Sequence, residues 1–82
     1  MDRPYFFRYD IIGVNTDNSA QEVQNILLEV KGILQVSLNN EYKLVYIEMK
    51  DLKTIQEFND VLKPKYKLDN QVNIGFLMRF FP

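Results

Sequence analysis

Thr16 and Ser19 stand three residues apart in a stretch that also holds Asn15, Asp17 and Asn18, with Asp10 a little upstream. All are oxygen donors. The chain has no cysteine and no histidine, so the thiolates that Cu(I) and similar soft ions require are absent. Hydroxyls are hard, neutral donors, and Thr16 and Ser19 do not replace cysteines for Cu(I) or Zn(II). Met49 and Met78 carry thioethers, but both lie in strand-like stretches where methionine serves as core filler. Asp10, Asn15, Asp17 and Asn18 could hold a hard cation. The same residue types are ordinary turn and cap chemistry, and that reading is preferred. No metal and no cofactor is expected.

Catalysis fares no better. Ser19 and Ser37 have no imidazole to activate them. The acid pairs Asp10/Asp17 and Glu57/Asp60 have no pocket-like context, and Glu57 and Asp60 are spaced as neighbours on a solvated helix face. The chain is expected not to be an enzyme.

The elements that would position these residues are legible in the patterning. Tyr5 to Ile12 alternates Tyr5, Phe7, Tyr9 and Ile11 with Phe6, Arg8, Asp10 and Ile12, which predicts a strand with the first set in the core. Gly13 ends it, and Asn15 to Asn18 form a loop. Ser19-Ala20-Gln21-Glu22 has capping-box spacing and opens a helix with Val23, Ile26, Leu27 and Val30 on one stripe. Gly32 fits a left-handed stop. Val36 and Leu38 mark a short second strand, and Asn39-Asn40-Glu41 a turn. Lys43 to Met49 is a third strand, with Val45 and Ile47 facing one way and Tyr42, Leu44, Tyr46 and Glu48 the other. Thr54 to Glu57 repeats the capping box before a helix with Ile55, Phe58, Val61 and Leu62 on its apolar side, stopped at Pro64. Alternation of Val72, Ile74, Phe76, Met78 and Phe80 places a last strand over about 72–80. A short strand at Tyr66-Lys67-Leu68 with a turn at Asp69-Asn70 is the alternative.

The order βαββαβ implies an α+β, ferredoxin-like plait: a four-stranded antiparallel sheet with two helices on one face. Residues 1–82 read as a single domain with one core.

From about Tyr9 to Leu68 the chain resembles the heavy-metal-associated domain of copper chaperones and metal-transporting ATPases. In that family the first strand ends in Gly-Met-x-Cys-x-x-Cys, and here Gly13-Val14-Asn15-Thr16-Asp17-Asn18-Ser19 takes its place. Val30-Lys31-Gly32-Ile33 is similar to the family's Leu-Pro-Gly-Val, Val36-Ser37-Leu38-Asn39 to its Val-x-Val-Asn strand, and Lys65-Tyr66 to its Gly-Tyr. The resemblance implies the same fold and a degenerate metal loop, with Thr16 and Ser19 at the two ligand positions. It also implies that Tyr66 lies near the loop, so Asn15, Asp17 and Tyr66 form a possible residual site for an ion or small ligand.

Composition bounds the partners. Net charge is −1 and the isoelectric point about 5.3, which gives no general attraction to nucleic acid or anionic membranes. The start, Met1-Asp2-Arg3-Pro4, lacks a signal-peptide layout, and apolar runs are too short to span a bilayer. A cytoplasmic location is expected. RNA binding on the sheet face is disfavoured, because Glu41-Tyr42-Lys43-Leu44-Val45-Tyr46-Ile47-Glu48 lacks the Lys/Arg-Gly-Phe start of the RNA-recognition signature and carries two acids. What remains is an interaction face of Phe6, Arg8, Ile12, Tyr42, Leu44 and Tyr46 on the uncovered side of the sheet. Its partner would be another protein or a second copy, through that face or the edge of the last strand. Leu77, Phe80 and Phe81 either extend this face or fold back and cover it.

Overall fold

The computed structural model describes residues 4–75. Six elements follow in order: β1 (Tyr5–Ile12), α1 (Asp17–Leu28), β2 (Ile33–Leu38), β3 (Leu44–Met49), α2 (Ile55–Leu62) and β4 (Lys67–Asn73). The strands form one antiparallel sheet in the order β2-β3-β1-β4. This is the βαββαβ plait that the patterning predicts.

The alternation of β1 fixes which face is buried, because successive side chains point to opposite sides. Phe7, Tyr9 and Ile11 join Val45, Ile47 and Met49 of β3, Val36 of β2 and Leu68 of β4 in one core cluster. Val23 and Leu27 of α1, Phe58 and Leu62 of α2 and Tyr66 complete it, so both helices pack on the same face. Tyr9 is fully buried, and its ring meets Phe58 edge-on at 5.7 Å between centroids. Two residues expected in this core lie outside it. Tyr5 is 42 % exposed and Val61 46 %. Tyr5 starts β1 at the rim of the sheet, and Val61 follows Asp60 on the solvent side of α2.

The caps explain where the helices begin. At α2 the expected box forms: Thr54 Oγ1 accepts from the Glu57 N–H, and the Glu57 carboxylate accepts from the Thr54 N–H at 2.7 Å. At α1 the box lies three residues earlier than the sequence indicates. Thr16 is the N-cap and Ser19 the third helical residue, rather than Ser19 capping with Glu22. Ser19 can play either part, and the extended backbone of Thr16 (φ −140°, ψ 162°) settles which.

The last strand also begins earlier than expected. It runs Lys67–Asn73 rather than about 72–80; residues 76–80 of that expected strand lie outside the described residues. Asn59 on α2 holds the start of β4 in place. Its Oδ1 accepts from the Leu68 N–H at 2.7 Å and its Nδ2 donates to the Leu68 carbonyl at 3.1 Å, while Leu68 fills the core at 1 % exposure. The Asp69-Asn70 pair is a bulge within the strand: Asn70 has φ +52°, and the register against β1 shifts between Arg8 and Asp10. The rest of β4 is exposed and, apart from Val72, polar, so this edge lacks most of the apolar character expected of it and resembles a protected edge strand.

Candidate functional site: the capped loop and the uncovered sheet face

Two regions gather the residues singled out by the sequence. The first is the loop between β1 and α1. Ser19 Oγ accepts from the Thr16 N–H at 3.0 Å and from the Asn15 N–H at 3.2 Å, and donates to the Thr16 carbonyl at 2.9 Å. Thr16 Oγ1 accepts from the Ser19 N–H at 3.0 Å and lies 3.0 Å from Ser19 Oγ. The structure therefore brings Thr16 and Ser19 side by side, as the resemblance implies, and engages both hydroxyls in capping amides that the helix start leaves free. Asn15 and Asp17 are exposed at the loop surface. Among the described residues, no three Asp, Glu, His or Cys side chains converge to hold a metal ion.

Behind the loop the packing is tight. Gly13 has φ +105°, and a Cβ there would overlap the Lys65 carbonyl oxygen and press on the Tyr66 ring at 3.2 Å. Only glycine meets both conditions. Tyr66 is thus placed beside the loop, as expected. Its hydroxyl donates to Glu22 Oε1 at 2.5 Å, and Lys65 Nζ stands 3.5 Å from the same oxygen. The bond from Tyr66, aided by the Lys65 charge, holds the Glu22 carboxyl below the ordinary glutamate value. The same bond pushes the Tyr66 phenol up. Glu22 is the residue that sequence reasoning misassigned. It does not reach back to cap its own helix but accepts from a tyrosine 44 positions away, a partnership without local signal.

The second region is the sheet face turned away from the helices. The register sets Phe6 opposite Glu48, Arg8 opposite Tyr46 and Asp10 opposite Leu44, with Gln35 and Ser37 of β2 opposite Glu48 and Tyr46. A groove of about 290 Å³ runs between Phe6, Tyr46 and Ile74, with Gln35, Ser37 and Glu48 on its walls and Phe7 and Ile47 beneath. Phe6, Arg8, Leu44 and Tyr46 are half-buried and share this face. Ile12, 57 % exposed, lies at its far end opposite Lys67. Tyr42 is a correction: it is not on β3. It sits in the β2–β3 turn with φ +58°, its N–H donating to the Asn39 carbonyl at 3.0 Å. Asn39 Oδ1 in turn accepts from the amides of Lys43 and Leu44, which delays the strand to Leu44. Ile74 is the groove residue that the sequence assigned wrongly, as the middle of a strand. It follows β4, is 8 % exposed, and donates its N–H to the Phe6 carbonyl at 2.9 Å.

The geometry defines a ferredoxin-like plait whose two distinctive places are a capped loop at one end and a partly apolar sheet face that neither described helix covers. No family model matches the chain, and no curated protein does. Among solved structures it is similar to the N-terminal domain of a potential copper-translocating P-type ATPase from Bacillus subtilis, determined in solution in the Cu(I)-loaded state. The TM-score is 0.67 at 19 % identity, covering 85 % of this chain and 92 % of that one. At that identity the likeness establishes the fold. None of the described helices is long and apolar enough to cross a membrane.

Proposed function

We propose that this chain is a non-catalytic binding module on a heavy-metal-associated type of fold, working through the uncovered sheet face. The single observation that carries the reading is the groove of about 290 Å³ between Phe6, Tyr46 and Ile74. Large apolar side chains line a concavity that Gln35, Ser37 and Glu48 also border, a mixture of apolar and polar groups that suits a protein contact surface. A second copy of the chain is the simplest partner. At the other end of the fold, Thr16 and Ser19 hold the helix cap, which supports a structural role for the loop.

The test is sedimentation velocity over rising concentration, on the natural chain and on Phe6→Ala/Tyr46→Ala. The natural chain is expected to associate weakly, and the double variant to stay monomeric while unfolding as cooperatively as before. Equal association of the two would contradict the reading, and collapse of the variant would make Phe6 and Tyr46 core residues.

A second reading is ion or small-ligand binding at the 13–19 loop, in a metal-transport or chaperone role. The likeness to a Cu(I)-loaded domain favours it, as do the adjacent oxygens of Thr16 and Ser19 and the exposed donors Asn15 and Asp17. Oxygen ligands of this kind suit a hard cation rather than Cu(I).

A further inference from the structure

We infer that the outer edge of β2, with Leu28 of α1 beside it, accepts an extended, uncharged segment of a partner protein as a fifth strand of the sheet. The site stands apart from the proposed contact on the sheet face: neither Phe6 nor Tyr46 takes part in it.

The main chain carries the argument. β2 lies at one end of the sheet order, so among the described residues no strand pairs with its outer side. The Asn39 N–H donates to the Leu44 carbonyl, and the same register sets Ser37 opposite Tyr46 and Gln35 opposite Glu48. Residues 35, 37 and 39 therefore turn their main-chain groups to β3, while Val36 and Leu38 turn theirs outward, about 7 Å apart. One of these outward groups already takes a donor. Gln24 Nε2 of α1 donates to the Val36 carbonyl at 3.3 Å, so a side-chain amide stands where the N–H of a neighbouring strand would. An extended chain supplies main-chain donors and acceptors at the same interval as this edge presents them.

The two edges of the sheet differ in how they are guarded. β4 carries Lys67 and Asp69 and a left-handed Asn70 near its register shift, devices that keep an edge from pairing. None of the six residues of β2 is charged. Its own register shift lies at its start, between Ile33 and Gln35, which leaves Gln35–Leu38 regular.

The helix side of this edge is apolar. β1 and β2 are both antiparallel to β3, so they run parallel to each other, and α1 returns the chain in the opposite direction. Leu28 lies one turn beyond Gln24 on the same side of α1. Four helical residues rise about 6 Å, the length of two strand residues, which brings Leu28 level with Leu34. Both are exposed, Leu28 at 45 % and Leu34 at 52 %. An incoming strand with aliphatic residues on that side covers them, and its other side, beside Gln35 and Ser37, takes polar residues. A free segment has no bulge of its own and follows the regular run. A second copy pairing β2 with β2 about Val36 sets its irregular backbone at Leu34 against Leu38 and has a Gln24 to displace on each chain.

The probe is a capped peptide, Lys-Thr-Val-Thr-Ile-Thr-Val-Thr-Lys, whose terminal lysines serve solubility, titrated into the isotope-labelled full chain and followed by amide NMR. Saturable shifts are expected at Leu34, Val36, Leu38 and the Gln24 side-chain amide, with Phe6→Ala/Tyr46→Ala binding the peptide equally well. The same peptide N-methylated at its isoleucine and at the threonine that follows, one amide on each edge, is expected to bind about tenfold more weakly or worse. Leu28→Ser/Leu34→Ser, two changes at exposed positions, is expected to weaken binding about tenfold. Four results would overturn the inference: no saturable shifts up to millimolar peptide, shifts centred on Phe6 and Tyr46, equal binding of the N-methylated peptide, or unaltered binding by the serine variant. Concentration-dependent shifts of the β2 amides without peptide would place a second copy on the edge and overturn it as well.

Discussion

Replacing Tyr9 with phenylalanine should make this protein more stable. Tyr9 has no solvent exposure, and its hydroxyl has no hydrogen-bond partner among the described residues. The ring is well placed, edge-on to Phe58 and 6.3 Å from Phe7 between centroids, so the hydroxyl alone is at issue. Burial also pushes its pKa far above the ordinary tyrosine value; the group stays neutral and cannot recover the loss by ionising. An unmade hydrogen bond at a buried polar group costs about 1–3 kcal/mol. Removing the oxygen forfeits packing of less than a methylene's worth, about 0.8 kcal/mol. The net expectation is a gain of about 0.5–2 kcal/mol. For a domain of this size each kcal/mol moves the melting midpoint by about 4–8 °C. Urea unfolding followed by circular dichroism should show a raised midpoint with an unchanged slope, since no surface is newly exposed. A loss of about 1 kcal/mol or more would refute the reasoning, because it would require a partner for the hydroxyl.

Three further outcomes follow from the loop. Thr16→Ala removes the N-cap acceptor for the Ser19 amide and should cost about 1 kcal/mol, read by urea unfolding. Gly13→Ala should cost about 2 kcal/mol or more, since the left-handed backbone alone costs about 1–2 kcal/mol and the new methyl meets the Lys65 carbonyl; near-neutral stability would contradict the packing. Glu22 has a folded pKa below its unfolded value of about 4.5, so its contribution is present above that pH and lost as pH falls through the folded value. Tyr66 is raised above 10.0, so its share is present below pH 10 and lost as pH climbs through the folded value. Glu22→Gln should therefore flatten part of both the acid and the alkaline limbs of the stability–pH curve, and an unaltered curve would dissociate the pair.

The sequence spoke most clearly where one physical rule acts alone. Alternation in Tyr5–Ile12 and the Thr54–Glu57 cap needed no tertiary help, and both stand where expected, apart from Tyr5 at the rim. It misled where two rules compete. Ser19 can cap or be capped, and its local chemistry is the same either way; Thr16, one turn earlier, supplies the stronger entry. Val72 and Ile74 open a more regular alternation than Lys67–Asn73 shows, yet among the described residues the polar stretch is the strand, because Asn59 grips the Leu68 backbone and one buried leucine suffices to anchor an edge. Asp69-Asn70 carries a turn signal and yields a bulge, since the left-handed residue a turn needs is also what a bulge needs. The bond from Tyr66 to Glu22 spans the fold and leaves no trace in local spacing. Of the candidate face, Phe6, Arg8, Leu44 and Tyr46 were readable from period-two patterning. Tyr42 was not, because the Asn39 side chain holds the first residues after the turn out of the strand.

The proposed binding at the sheet face rather than at the 13–19 loop can be tested by an amide NMR titration under reducing conditions. Cu(I), Zn(II) and Ca(II) would be added in turn to the natural chain and to Thr16→Cys/Ser19→Cys, in which two thiols replace hydroxyls now 3.0 Å apart. The expected outcome is no saturable shifts at residues 14–19 or Tyr66 in the natural chain, saturable Cu(I) shifts there in the double variant, and concentration-dependent shifts of the metal-free natural chain centred on Phe6 and Tyr46. Saturable shifts confined to residues 14–19 and Tyr66 of the natural chain would contradict it and return the function to the loop.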